Sequence, residues 1–172
     1  QQRSQAVANS GTSGGDGVAM TVRAESGAVV DIAQNPNALF PSLALSETAD
    51  TVHPVPINAL MNYSTGSMTV TFSEILDITP SSNIRLDGLH LSNITGDHLI
   101  SLVGSTVTAI DGTQAVIVIS EAKRALAIAH SATPGGNGHA MVLDIARDAV
   151  MDIAQNRNEY LFNLTLQEIA DT

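Results

Sequence analysis

The chain has no cysteine, no tryptophan and only five aromatic residues in 172: Tyr63, Tyr160, Phe40, Phe72 and Phe162. Without cysteine there is no disulfide framework, although a chain of this size can be secreted without staples. With so few rings the core must be built from Val, Ile, Leu, Ala and Met, which the 44% hydrophobic content supplies. Basic residues are scarce as well, seven against seventeen acidic ones, for a net charge of −10. That balance argues against nucleic acid or an anionic membrane as partner, since both call for a positive footprint. No apolar run approaches the roughly 20 residues that cross a bilayer, so membrane insertion is not expected. The sequence opens without methionine or a signal peptide, as expected of a processed product or an excerpt of a longer protein.

What the chain does have is the same ending twice. "GAVVDIAQNPNALFPSLALSETADT" (27–51) returns as "DAVMDIAQNRNEYLFNLTLQEIADT" (148–172), and an offset of 121 residues carries the match back to the first residue without a gap. Twenty-four of the 51 aligned positions are identical, which marks an internal repeat. The domain reading follows: 52–172 is one complete unit, and 1–51 is the last part of another, its helix and last two strands.

The complete unit reads as a series of short strands. In "SMTVTFSE" (67–74), Met68, Val70 and Phe72 alternate with polar residues, the period of a strand with one buried face. Further strands are expected at 55–64, 84–93, 99–110, 114–120, 139–146 and 161–169. "DITPSSN" is a turn, and "DGT" (111–113) a hairpin signal. Asp87-Gly88 changes the phase within 84–93. In the last strand Phe162, Leu164 and Leu166 are expected to point inward, and Asn163, Thr165 and Gln167 outward. "SEAKRALAIAH" is the one helix candidate, with Ser120 as its cap. Strands spaced about 8 to 12 residues apart with one short helix imply an all-β, antiparallel sandwich.

The order "TVTFSE…DITPSSN…GSTVTAIDGTQAVIVISEAKRALAIA…MVLDIARDAVMDIAQN" resembles the bacterial-type immunoglobulin-like repeats found in tandem in very large surface proteins and adhesins. Those repeats share a strand ending in "TFSE", a "LTEAQR"-like helix and a closing "V-x-D-x-A-G-N" turn. The likeness spans the complete unit and the partial copy, and it implies an Ig-like sandwich with a scaffolding or adhesive role and no shared catalytic residue. One departure is Gln34 and Gln155, which stand where the family usually has glycine, leaving the geometry of the closing turn open.

Three N-glycosylation sequons occur, at Asn62, Asn93 and Asn163. Asn62 ends a strand and Asn93 begins a loop, the favourable placements, whereas Asn163 lies on the exposed face of a strand. No cofactor is expected beyond N-linked glycans. Calcium is the one candidate ion, at Asp31 with Asn35 and at Asp152 with Asn156, which recur in both copies. Asp and Asn in such turns more commonly accept hydrogen bonds from nearby backbone, as also fits Asp77, Asp87, Asp97 and Asp111. The five histidines show no metal-ligand spacing, His90 and His98 flanking one loop being the nearest to a pair. There is no nucleophile elbow, and "GTSGGDG" and "TPGGNG" lack the lysine and helix of a phosphate loop, reading instead as flexible connections. An enzyme is the least favoured class.

The partial copy lacks every strand that would cover its apolar face. Val18, Met20, Val22, Leu39, Leu43 and Leu45 are the expected assembly interface, because open strand edges and uncovered apolar faces invite pairing. An excerpt of a tandem array, strands donated to a neighbouring copy, or an arm folded onto its own domain would each satisfy them. The expected function is therefore a glycosylated extracellular structural protein, secreted or on a cell surface, with copies of itself as partners. The alternative is an adhesin module that recognises carbohydrate or a host surface. Few aromatics are left for sugar stacking, since Phe40, Phe72 and Phe162 are assigned to core or interface.

Overall fold

The computed structural model describes residues 2–93 and 100–172. The chain divides into two compact units, Gln1–Thr51 and Val52–Thr172.

The first unit holds a helix, α1 (Gln2–Ala8), and a two-stranded antiparallel sheet of β1 (Thr21–Ala24) and β2 (Phe40–Ala44). Thr21 pairs with Ala44, Val22 with Leu43 and Ala24 with Phe40, with a bulge between Val22 and Ala24. The connection from helix to strand is a hydrogen-bonded turn, where a flexible link was expected. The Ser10 hydroxyl donates to the Val7 carbonyl at 2.8 Å, and the amides of Gly15 and Gly17 bond the carbonyls of Thr12 and Ser10. A Cβ on Gly15 would lie 2.1 Å from the Ser10 carbonyl oxygen, so only glycine fits there.

In the second unit β3 (Pro56–Asn62), β4 (Ser67–Leu76), β5 (Leu89–Asn93), β6 (Ile100–Ser101), β7 (Thr106–Val107) and β8 (Gly112–Val118) precede α2 (Glu121–Ala129), followed by β9 (Met141–Ile145) and β10 (Leu161–Ile169). The strand order is β6-β5-β9-β10-β3-β4-β8-β7. β10 is the seam: its first half pairs antiparallel with β9, and its second half parallel with β3, Leu166 opposite Ala59 and Ile169 opposite Asn62. Ala59, Met61, Met68, Val70, Phe72 and Ile117 on one side of that seam and Leu89, Leu91, Met141, Leu143 and Ile145 on the other belong to one buried apolar cluster. The architecture is mostly β and consistent with a sandwich.

The alternation in β4 sends Met68, Val70 and Phe72 inward as its period requires. Several boundaries differ from expectation. Residues 84–88 are a 3-10 turn (Leu86–Gly88) and its approach, and the strand begins only at Leu89. Gly88 is buried there, with Ala149 and Ala146 so close that a Cβ would meet them at 3.0 and 3.3 Å. The expected strand 99–110 is two short ones parted by a turn at Gly104, Leu99 lying outside the described residues. Ser120 stands at the N-cap of α2 but makes no capping bond with its side chain. α1, β1 and β2 are the helix and last two strands expected of the partial copy, and beside the one helix expected in the complete unit there are, among the described residues, two 3-10 turns.

Phe162 departs from the inward position expected of it. It is 60% exposed, while Leu161 and Leu164 pack on the core. Asn163 has φ of 58°, and the pairing with β9 slips between Leu161 and Leu164. The bulge moves the residues before it to the opposite face, so strict alternation holds only from Leu164 onward. Phe162 lies against Tyr160 instead, ring centroids 3.8 Å apart and planes tilted by 33°. Phe40 is also exposed.

Candidate functional site

The second copy of the repeat shows what each element of the first is built to face. Adding 121 to the pairs of β1 and β2 gives Val142 with Thr165, Leu143 with Leu164 and Ile145 with Leu161, the pairs that β9 and β10 make. The turns repeat too. Asn37 accepts from the Val29 amide and donates to the carbonyls of Glu25 and Ala38. Asn158 does the same with Val150, Ala146 and Glu159. Gln34 and Gln155 both adopt positive φ, 66° and 68°, so the closing turn keeps a backbone suited to glycine although glutamine fills it.

Burial is where the copies part. Met141 and Leu143 are fully buried and Leu166 is 4% exposed, whereas their counterparts Val22 and Leu45 are 43% and 38% exposed and Met20 is half-buried. Leu43 is 53% exposed, while Leu164 packs on the core. Leu39 does not belong to this set, because its counterpart Tyr160 is itself exposed. Val29 does belong, exposed where Val150 is buried, and strand alternation does not reveal it because it sits in an irregular turn. Its identity between the copies was the available signal.

Strand length carries the same difference. β10 runs to Ile169 because its second half pairs with β3, but β2 stops at Ala44, and 45–48 form no ladder. Beside 45–48 lies a recess of about 170 Å³ lined by Ala6, Val7, Ser10, Met20, Glu47 and Thr48, among others. Glu47 accepts there from the amides of Gly11 (3.0 Å) and Met20 (3.1 Å).

The counterpart of that recess is full. Tyr63, buried at the end of β3, donates its hydroxyl to Glu168 at 2.6 Å, and Glu168 also accepts from the Ala132 amide. Burial first, then the neighbouring Glu168 carboxylate, push the Tyr63 hydroxyl far above the ordinary tyrosine range, with Ser131 acting in the opposite direction. Arg124 caps the arrangement. It donates to the Tyr63 carbonyl at 2.7 Å and pairs with Glu121 and Asp171, which raise its pKa, Glu121 most. In the first unit Arg3 and Asp50 form the corresponding ion pair.

The acidic turns have their oxygens engaged. Both carboxylate oxygens of Asp31 accept from Asn35, and both of Asp152 from Asn156, at 2.7–3.0 Å. Asp111 and Asp77 likewise accept from the amides of Ile78 and Thr79, and Asp87 pairs with Arg85. Asp97 and His98 lie outside the described residues.

The sequons differ in access. Asn163 is exposed, and Asn62 half-buried at the end of β3, its side-chain oxygen accepting from the Thr65 amide. Asn93 is only 2% exposed, against the loop position expected, and the Ile94 and Thr95 of its sequon lie outside the described residues. Of the three asparagines, Asn163 is the most open to solvent. None of the described helices is long and apolar enough to cross a membrane. No protein-family model, curated protein or solved structure matches this chain.

Proposed function

We propose that the protein is a glycosylated extracellular structural protein, a subunit or repeat of a surface fibre in which Ig-like sandwiches join head to tail by strand complementation or by tandem repetition. One observation carries this reading: the face that is buried in 122–172 is presented open, in the same register, by 1–51. An open strand pair with an uncovered apolar face is a template for a partner's strands. A head-to-tail contact of this kind is heterologous, and it generates a filament when its rotation does not close.

Light scattering and electron microscopy of the full chain test the proposal. Replacing Leu43 and Leu45 together by aspartate places two charges in the joint and should abolish assembly. Both side chains are substantially exposed, so the monomer should keep its fold. Ala44→Asp, on the opposite face of β2, should still assemble. Equal behaviour of the two variants would overturn the reading. The mass of the native glycoprotein should show sugar at Asn163 before Asn93.

The exposed, tilted pair Tyr160 and Phe162 favours a second reading, an adhesin module that lays a sugar ring on this aromatic surface. Tyr160→Ala should then abolish binding to a glycan array without affecting assembly.

A further inference from the structure

We infer that the recess beside Glu47 is an empty socket for a tyrosine side chain, supplied by a β3-type strand of the sequence pattern PINALMNY from another repeat of this kind. The inference rests on the strand-complementation reading above, and it names the partner segment and the residue that would anchor it.

Three observations converge. The recess exists, open, and is lined by Ala6, Ser10, Met20 and Glu47. Their counterparts Ala127, Ser131 and Met141 are all fully buried, and Glu168 receives the Tyr63 hydroxyl. All four residues are identical in the two copies, so the first unit retains the socket's composition without a tyrosine in it. Next to the recess, 45–48 are the residues that correspond to 166–169, the half of β10 that pairs parallel with β3. They form no ladder in the first unit. A strand laid there in the β3 register would set its alanine opposite Leu45 and its asparagine opposite Thr48. That register extends β2 by four residues and carries the next residue, tyrosine, to Glu47. Edge pairing then supplies affinity, and the phenol hydroxyl on a carboxylate supplies specificity.

The chemistry excludes looser occupants. A phenylalanine would add no hydroxyl to the Glu47 oxygen that now accepts from the Met20 amide, whereas Glu168 has that donor, and a group added to Ala6 would fill the space where the ring belongs. In a second copy of this chain β3 is flanked by β10 and β4. The occupant is therefore a β3-type strand that lacks its own closing segment, or has released it.

The test uses the full chain and a fluorescent peptide of residues 55–64, VPINALMNYS. One-to-one binding is expected, at least ten-fold weaker for the peptide with phenylalanine in place of tyrosine. Chain variants Ala6→Leu and Glu47→Gln should each weaken binding ten-fold or more, whereas Glu168→Gln, in the occupied counterpart, should leave it unchanged. No binding, or binding that ignores Ala6→Leu and Glu47→Gln, overturns the socket. Full-chain assembly measured in parallel separates the two proposals. A chain that assembles while the peptide ignores Glu47 keeps the fibre and loses the socket, and one that binds peptide through Glu47 but never assembles does the reverse.

Discussion

Residues 1–51 and 122–172 are two copies of one repeat segment, identical at 24 of 51 positions, folded once with a covering layer and once without. Helix, turns, strand pairing and the bulge persist in both. These features are therefore carried by local chemistry: the serine that closes the helix end, the glycine beside it, and the asparagine that binds three backbone groups across the turn. What changes is the burial of Val22, Val29, Leu45 and their counterparts, and the length of the last strand. The apolar face takes shape without the layer that covers its counterpart, as the proposed complementing role requires.

The largest effect that sharpens the comparison is a truncation made twice. Leu143 is fully buried, and Leu143→Ala should cost about 2–5 kcal/mol through lost contacts and a residual cavity. Val22→Ala, at the equivalent exposed position, should stay within about 0.5 kcal/mol. Urea midpoints measure both. A large loss for Val22→Ala in the isolated chain would mean that its face is already covered in solution, and the contrast between the copies would collapse.

A middle-sized effect tests what the copies share. A non-glycine residue in the left-handed region costs about 1–2 kcal/mol, and glycine's extra entropy in the unfolded chain returns about 0.5–1 of it. Gln155→Gly should therefore stabilise the second unit by about 0.5–1 kcal/mol. Gln34→Gly should protect the amides of its own turn from hydrogen exchange to a similar degree. Both glutamines are exposed and share φ within two degrees, so similar gains are expected whatever the burial around them. Unequal gains would show that the covering layer, and not the local backbone, sets the turn.

These contrasts also explain what was legible in the sequence. Met68, Val70 and Phe72 announce their buried face because β4 is an unbroken ladder on which period two is enforced. β9 and the helix from Glu121 are equally plain. Phe162 misleads because the positive φ at Asn163 interrupts the period, and asparagine, which tolerates that backbone, signals it less plainly than glycine would. The phase change near Asp87-Gly88 is visible, but its form is not, since a 3-10 turn and a bulge suit the same residues. For the candidate site, Met20, Val22, Leu43 and Leu45 follow from the repeat. Glu47 does not, because its meaning lies in Tyr63, about 105 residues before its counterpart Glu168 and in a segment the partial copy lacks.

The smallest effect concerns the acidic turn, and it separates hydrogen bonding from calcium. The Asn35 side chain, then its backbone amide, hold the Asp31 carboxyl below its ordinary value of 3.8, although the group is fully exposed. A depressed folded value means that the turn gains stability from Asp31 above the unfolded pKa, and loses it as the pH falls through the folded one. Carbon-detected NMR should therefore place the Asp31 midpoint below 3.8, with a small loosening of the 31–35 turn at lower pH. Asn35→Ala should bring the midpoint back up. The backbone N–H and the side-chain amide of Asn35 each already donate to one of the two carboxylate oxygens, so millimolar calcium should leave the titration in place. A calcium-dependent shift of the Asp31 and Asn35 resonances would mean instead that the ion displaces the asparagine, and that the turn is a ligand site which the hydrogen bonds only hold closed.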